Sequence, residues 1–443
     1  MSRAAPGPAA SPGSLVGAPT LRPNLVYVTP LMPRTTGNGL AMRSAAILEA
    51  LAQRFAVHLF VVPVAGAAGP PDAFVRQHAV RTFVLDPART LDPLFALITS
   101  IRDPAERAEA VLAYPKPFLS RACTGESGRC LVEWSRGIRP QAVHVMRLYL
   151  APVIDVWLRR RPSARPYCTL DLDDDEVVSH ARLAALYDAA GDPDAARVAR
   201  AEARKYRVFS ARYLPAFDRV GVGSAQDASR LAGDFPTARF VDLPNCIGPR
   251  PRAPRPAARG GLRLLFVGTF GYFPNADAVL FLCREVLPAL HRLTDRAIVL
   301  DLAGAGDTTA LQDIARHPGV TLHGYVEDLE PLYAAADIAV VPLRAGGGTR
   351  IKILEAFAHG VPVVATRLAA EGIAAMDQDH ILLADDAESF ARACLATVLQ
   401  PELAARRVGR AARLVATLHG PARLRDAVAA LYAGTDFIRE LPA

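Results

Sequence analysis

The segment Arg344–Ala356 carries residue types that bind phosphate groups. Its glycines, Gly346–Gly348, let a ligand approach the backbone closely. Helical spacing begins at Thr349, so free amide groups and the positive end of a helix dipole would face the same ligand. Lys352 and Glu355 lie within the first turns. The pattern predicts a phosphate or diphosphate site; the alternative is a glycine-rich loop with a Lys–Glu surface pair. It is not a Walker A loop, because Gly-Lys-Ser/Thr is absent.

Lysine is scarce in this chain. Of 51 Lys and Arg residues, only Lys116, Lys205 and Lys352 are lysine. Arg350 is two positions from Lys352 and would point elsewhere on the helix, so we rank it second as a phosphate ligand. The formal charge of +7 is modest and scattered along the 443 residues, which argues against a nucleic-acid partner.

An acidic cluster, Asp171–Glu176, ends the predicted strand Tyr167–Leu172. Carboxylates suit Mg²⁺ or Mn²⁺. Acidic residues also favour the start of a helix, and ligands gather at the carboxyl ends of parallel strands. We favour the helix start over acceptor binding, and we expect no metal.

His144 and Arg147 stand at the end of another predicted strand, Ala142–Val145. His144 is either a packed strand-end residue or a catalytic one. Arg147 is either a solvated arginine or a contact for phosphate or an acidic acceptor. Both are candidate catalytic residues, together with Lys352 and Arg350.

Apolar runs alternate with helical patterns along the chain, which is typical of βαβ units and parallel sheets. The predicted strands are Leu25–Thr29, Val57–Val62, Ala142–Val145, Tyr167–Leu172, Val220–Val222, Leu262–Val267, Ile298–Ala303, Ile338–Val341 and Val361–Ala365. The predicted helices are Ala41–Arg54, Arg182–Tyr213 and Thr349–His359.

The chain divides near a Pro- and Arg-rich stretch without apolar periodicity. We predict a disordered tail over 1–20, a first Rossmann-like domain over 21–247, a linker over 248–261 and a second such domain over 262–420. A C-terminal helix within 421–443 is expected to pack back toward the first domain. Ligands are expected in a cleft between the two sheets.

Targeting signals are not evident. No apolar run reaches the length of a membrane span, and the first residues lack an apolar signal core. The six cysteines form no C-x-x-C pair, so a zinc site is not expected. We expect a cytoplasmic protein, with peripheral contact at the inner membrane face through its arginines.

Several segments together resemble glycosyltransferase family 4, also called group 1, whose members have the GT-B fold. Gly346–Ala370 is similar to their nucleotide-sugar-binding region. Other elements resemble the family in the same order: Thr36–Arg43, Leu243–Ile247, Leu264–Phe270 with Pro274–Asp277, and His323–Val326 with Asp328, Leu329, Ala336 and Asp337. The resemblance spans Leu25 to Arg413 and implies two Rossmann-like domains that face a central cleft.

The resemblance also implies roles for single residues. Glu355 matches the glutamate that binds the ribose hydroxyls, and Val326 matches the position whose main chain meets the base. The remaining expected donor contacts are Gly37, Asn38 and Gly39 from the first domain, and Gly268, Thr269, Gly346, Gly347, Gly348 and Thr349 from the second.

The sequence departs from the family pattern in three respects. Gly347 stands where the family has an earlier glutamate that contacts the donor sugar. Thr269 and Asn275 stand where many members carry Arg and Lys, and Met146 stands where they carry a histidine. We infer that the positive charge moved to the glycine loop, with Lys352 as the first choice.

The implied activity is transfer of a sugar from a UDP- or GDP-linked donor to a glycan or lipid-linked acceptor, with retention and without a cofactor or catalytic metal. Cell-envelope or exopolysaccharide synthesis is the implied setting. The alternatives are an epimerase or phosphorylase on the same fold, and a non-catalytic nucleotide-sugar-binding scaffold. A dehydrogenase is disfavoured, because no G-x-G-x-x-G follows the first strand.

Overall fold

The computed structural model describes residues 22–64, 68–250, 261–306, 311, 314, 316–348 and 351–438. The predicted tail at 1–20 and linker residues 251–260 lie outside these ranges, as do the candidate site residues Thr349 and Arg350.

A seven-stranded sheet organises the first half of the chain. Its strands are β1 (Asn24–Thr29), β2 (Ala56–Val61), β3 (Arg81–Val84), β4 (Ala142–Met146), β5 (Tyr167–Asp173), β6 (Arg219–Val222) and β7 (Phe240–Asp242). The order is β3-β2-β1-β4-β5-β6-β7, and every neighbouring pair is parallel. The central strands are buried on both faces, which explains their near-continuous apolar runs.

Helices cover both faces of this sheet. They are α1 (Gly39–Ala52), α2 (Ala73–His78), α3 (Pro87–Thr90), α4 (Pro93–Ser100), α5 (Pro104–Ala113), α6 (Gly125–Ser135), α7 (Asp155–Leu158), α8 (Glu176–Ala189), α9 (Pro193–Tyr213) and α10 (Ala225–Asp234).

The single helix predicted over Arg182–Tyr213 is wrong, because that segment is divided between α8 and α9. Gly191 has a φ of 77°, a conformation that suits glycine. The Asp192 side chain then accepts a hydrogen bond from the Ala195 amide, and Pro193 opens α9. The break turns the chain back, so that α8 and α9 pack as a helical pair.

The second half repeats the architecture with six strands. They are β8 (Gly261–Val267), β9 (Ala297–Ala303), β10 (Val320–Gly324), β11 (Ile338–Val341), β12 (Val363–Ala365) and β13 (Leu382–Leu383). The order is β10-β9-β8-β11-β12-β13, again parallel throughout. The described helices here are α11 (Phe273–Phe281), α12 (Leu287–Leu293), α13 (Glu330–Ala335), α14 (Ile351–Ala358), α15 (Ala387–Leu399) and α16 (Pro401–Leu418). A π-helical turn, Leu282–Val286, joins α11 to α12.

The last described helix, α17 (Pro421–Leu431), packs on the first domain. Leu424, Val428 and Leu431 lie in one apolar cluster with Leu25 and other residues of the first sheet. The chain therefore crosses between the domains twice. The two crossings are bonded to each other, because the Ile247 amide donates to the His419 carbonyl at 2.9 Å and His419 Nδ1 lies 2.9 Å from the Asn245 carbonyl.

None of the described helices is both long and apolar enough to span a membrane. The predicted α/β class with two parallel sheets is confirmed.

Candidate active site

A cleft of about 960 Å³ lies where the carboxyl ends of the two sheets face each other. That volume is in the range of small-molecule sites. Among the predicted donor residues, the lining includes Gly37, Asn38, Gly39, Gly268, Thr269, Val326, Gly347, Gly348 and Glu355. Arg147 and Lys352 also line the cleft. The two domains therefore bring most of the predicted site together.

The glycine loop connects β11 to α14. Gly346 and Gly348 have φ values of 110° and 68°, which side chains with a Cβ rarely adopt. Gly346 is not part of the cleft lining; its carbonyl accepts a hydrogen bond from Arg182 of α8 at 3.2 Å. The helix predicted to begin at Thr349 begins at Ile351 in the described residues.

Lys352 reaches across the second domain from the first turn of α14. Its Nζ donates to Asn275 Oδ1 at 2.7 Å and lies 4.8 Å from the centre of the Phe266 ring. Asn275 Nδ2 in turn donates to the Thr269 carbonyl at 2.8 Å. Lys352 thus brings an ammonium group to Asn275, and Asn275 links it to Thr269. These are the two positions at which the sequence analysis noted the absence of Arg and Lys.

Glu355 lies one turn further along α14. Burial raises the pKa of this carboxyl to about 7, although Arg250 and Lys352 act in the opposite direction. Beside it, His359 stacks on Tyr333 with ring centres 4.4 Å apart. Burial and Arg250 lower the pKa of His359 to about 4, so this imidazole is neutral at physiological pH.

The opposite wall begins with the loop before α1. Gly37 has a φ of 106°, and the Asn38 side chain caps α1 by accepting from the Ala41 amide at 2.9 Å. A Cβ added at Gly39 would lie 3.0 Å from Cδ1 of Ile351. Gly39 therefore allows the start of α1 to approach the start of α14 closely.

Charged side chains fill the ends of β4 and β5. Arg147 lies 3.3 Å from Asp173 and 3.6 Å from Glu176. Burial opposes the charge on Arg147, but Glu176 and Asp173 outweigh it and raise the pKa of the guanidinium. Burial also raises the pKa of Glu176 to about 6. Arg147 Nε and Glu176 Oε1 make no hydrogen bond within the described part of the chain.

Beneath Arg147 and Glu176, Arg43 of α1 forms hydrogen bonds that connect α1 to β5 and to the segment after β7. Its Nε and Nη2 donate to both carboxylate oxygens of Asp171 at 2.9 and 2.7 Å. Nη1 donates to Asn245 Oδ1, and Nη2 also donates to the Leu243 carbonyl, each at 2.9 Å. Asp171 is therefore a structural partner of Arg43, deep below the cleft surface.

The other acidic residues of the cluster have separate partners. Asp175 caps α8 by accepting from the Val177 amide, as the helix-start interpretation predicts. Asp173 pairs with Arg43 and Arg147, and Asp174 accepts from Ser179. In the ranges that the structure describes, no group of three or more His, Cys, Asp or Glu side chains is arranged to hold a metal ion.

The catalytic prediction for His144 needs correction. His144 lies in the middle of β4, fully buried, with Nδ1 2.8 Å from Thr169 Oγ1 and 3.2 Å from the Tyr432 hydroxyl. Burial lowers its pKa to about 3. The sheet direction explains the error: β4 continues beyond His144, so Arg147, three residues later, is the one that reaches the cleft.

Several cleft residues escaped the sequence analysis. Arg250 lies in a linker with repeated Arg and Pro, and Ser179 lies just before a helical pattern. Arg182, inside that pattern, contacts the glycine loop beside the cleft. None has a local signal, because each gains its position only when the two domains meet. Asn275 was noted as a departure, and its contact with Lys352 is the feature that the sequence could not reveal.

The two parallel sheets and the shared cleft define a GT-B fold. Residues 261–400 match the family model "Glycosyl transferases group 1", which bears out the resemblance for that part of the chain. A sequence comparison with curated proteins gave no match.

Solved structures with the same fold match almost the whole chain. Sucrose-phosphate synthase from Thermosynechococcus elongatus has a TM-score of 0.64 at 16% identity, covering 93% of this chain and 98% of that one. Anabaena HepE, in complex with UDP and glucose, has a TM-score of 0.59 at 12% identity, covering 92% and 99%. A mutant of Staphylococcus aureus TarM, in complex with UDP and other ligands, has a TM-score of 0.61 at 9% identity, covering 93% and 100%.

Proposed function

We propose that this chain is a glycosyltransferase that moves a sugar from a nucleotide-sugar donor to an acceptor hydroxyl. The observation that carries the proposal is the glycine loop with Lys352 and Glu355, which faces the Gly37–Gly39 loop across one cleft. The family-model match of residues 261–400 supports it. HepE and TarM, which share the fold, contain UDP in their crystal structures. A UDP- or GDP-linked sugar is therefore the proposed co-substrate, with no further cofactor.

The donor would lie along the second domain. Glu355 accepts hydrogen bonds from the ribose hydroxyls, and the backbone near Val326 meets the base. The diphosphate lies against Gly348, beside the Lys352 ammonium, because the amino end of a helix and a positive charge favour an anion there. This order leaves the sugar at the wall formed by the first domain.

The proposed reaction proceeds with retention. The bond between the anomeric carbon and the diphosphate oxygen breaks, and the acceptor oxygen bonds to that carbon from the same face. The acceptor proton passes to the leaving diphosphate, so no side-chain base is required. Lys352 stabilises the negative charge that develops on the leaving group, and a closed cleft excludes water that would hydrolyse the donor.

The acceptor would enter along the first domain. Arg147 and Glu176 both line the cleft at this wall and form an ion pair with 3.6 Å between the charged groups. A hydroxyl both accepts and donates, so a polyhydroxylated acceptor suits this pair. We propose a glycan or lipid-linked acceptor in cell-envelope or exopolysaccharide synthesis, with the protein in the cytoplasm and in peripheral contact with the inner membrane.

A nucleotide-sugar panel tests the proposal. We expect one or more UDP- or GDP-sugars to raise the melting temperature, because a ligand that binds only the folded state stabilises it. Release of UDP or GDP should then depend on added acceptor. Binding without turnover would support a scaffold instead, and a changed sugar configuration without an acceptor would support an epimerase.

Donor binding should weaken as the pH falls through about 7, because protonation removes the carboxylate of Glu355. If only the carboxylate binds ribose, the apparent Kd of UDP-glucose or GDP-mannose rises about tenfold from pH 8 to pH 6. Titration calorimetry measures this. A sugar-linked diphosphate is the right probe, because it lacks the phosphate group that titrates near pH 6.

The Glu355→Gln variant is the matched control for this pH dependence. It should bind the donor weakly at every pH, with a nearly flat profile between about pH 6 and 8. A wild-type profile that stays flat would contradict the role of the Glu355 carboxylate in donor binding. A Glu355→Gln profile that keeps the wild-type slope would show that another group causes the pH dependence. Glu176, whose pKa burial raises to about 6, is a second carboxyl that lines the cleft.

A further inference from the structure

Asp174, in the loop between β5 and α8 of the first domain, lies directly against the glycine loop of the second. A Cβ added at Gly347 would lie 2.1 Å from Asp174 Oδ1 and 2.1 Å from Ser179 Oγ. Such a distance is far shorter than any side-chain contact. The carboxylate of Asp174 therefore fills the space that a side chain at position 347 would need.

The backbone around Asp174 is shaped to deliver this carboxylate. Asp173 has a φ of 57°, and the pairing of β5 with β6 shifts register between Asp171 and Asp173. The Asp174 amide then donates to the Leu172 carbonyl at 2.6 Å. This irregularity ends the strand and turns Asp174 away from the sheet, toward the other domain.

Side-chain contacts hold the carboxylate in place. Ser179 Oγ donates to Asp174, at 2.8 Å from Oδ1 and 2.9 Å from Oδ2. One turn later on α8, Arg182 pairs with Glu371 at 2.7 Å and donates to the Gly346 carbonyl. Tyr187, near the end of α8, stacks on Phe273 of the second domain with ring centres 4.2 Å apart. These contacts hold α8 against the second domain at two points, and Ser179 at its start orients Asp174.

The order of groups along the cleft identifies what Asp174 would contact. Glu355, Lys352 and Gly348 follow one another from the inside of α14 toward its amino end, and Asp174 lies beyond them. In the proposed function this order corresponds to ribose, diphosphate and then sugar. A carboxylate repels a diphosphate, but it accepts hydrogen bonds from neighbouring sugar hydroxyls.

We propose that Asp174 determines donor-sugar specificity by accepting hydrogen bonds from hydroxyls of the transferred sugar. This inference rests on the proposed function. The carboxylate comes from the acceptor-side domain, and Gly347 is the small residue that makes room for it. The sugar site is then complete only when the two domains meet, so the presence of a sugar favours the closed cleft.

The Asp174→Asn variant separates sugar recognition from a purely structural contact. The amide keeps the size of the side chain but loses the charge and one acceptor oxygen. We expect the affinity for UDP-glucose or GDP-mannose, whichever the wild type binds, to fall about 10- to 100-fold. The affinity for UDP or GDP, which lack the sugar, should change by less than about twofold. Titration calorimetry gives both constants.

Two further variants sharpen the test. Ser179→Ala removes the hydroxyl that orients Asp174, and it should shift the same sugar-dependent ratio in the same direction by a smaller factor. Asp188→Asn, an exposed carboxylate on α8 that pairs with Arg200, should leave the ratio unchanged. Equal losses of affinity for UDP and UDP-glucose in Asp174→Asn, or no loss of either, would overturn the inference. A wild-type protein that binds no nucleotide sugar would instead contradict the proposed function.

Discussion

Replacing Lys352 with alanine should lower the rate of sugar transfer about 100- to 1,000-fold, because the leaving diphosphate loses its nearest ammonium in a water-poor cleft. The stability cost should stay at about 1–2 kcal/mol, since the losses include the hydrogen bond to Asn275 and the contact with the Phe266 ring. Initial rates at saturating donor, together with thermal unfolding, measure the two effects separately.

Lys116→Ala is the matched control for this variant. Lys116 also donates to a side-chain oxygen, of Asp92 at 2.7 Å, but it lies outside the cleft. Its loss should leave turnover near the wild-type value. Lys352→Arg, which keeps the charge on a longer side chain, should recover part of the activity. Unchanged turnover in Lys352→Ala would contradict the relocation of positive charge to the glycine loop.

Replacing Arg43 with methionine should destabilise the protein by about 3–5 kcal/mol, the usual cost of breaking a buried ion pair by removing one partner. The guanidinium is almost fully buried, and its loss leaves the equally buried Asp171 carboxylate without its bidentate partner. It also removes the donors to Asn245 Oδ1 and the Leu243 carbonyl. Urea unfolding curves give the free energy of unfolding.

A double-mutant cycle is the control for the Arg43 prediction. Asp171→Asn alone should also destabilise strongly, because Arg43 then keeps a buried charge with a neutral partner. The double variant should lose clearly less than the sum of the two single losses, since the residues interact directly. Additive losses would show that the pair is not coupled and that the cost of Arg43→Met comes from lost packing.

The sequence predicted the central strands well and the peripheral ones poorly. Long apolar runs such as Leu25–Thr29 appear within one residue of the observed β1. By contrast, β3, β7, β10 and β13 were missed, because they are short and partly exposed strands at the edges of the two sheets. The strand predicted over Val361–Ala365 begins two residues before β12. Val361 and Pro362 are apolar, but they precede the residues that pair with the neighbouring strands.

The candidate site divides in the same way between local and distant residues. Lys352 and Glu355 were predicted because they lie on the helix that follows the glycine loop. One short segment of sequence therefore contains the glycines, the lysine and the glutamate. Asp174 and Arg250 enter the cleft from elements far away in the chain, so no spacing rule connects them to that segment. The departure at Gly347 looked like a lost carboxylate, whereas the other domain brings one to the same place.

The chain passes between the two domains at Asn245–Ile247 and again at His419. These two passages are hydrogen bonded side by side, so both covalent connections between the domains lie at one place in the molecule. The same feature limits dissection of the chain. A first domain cut at residue 247 would leave behind α17 and expose the apolar surface that Leu424 and Val428 cover. The independent folding unit is therefore discontinuous, and its C-terminal helix is as much a part of it as its first strand.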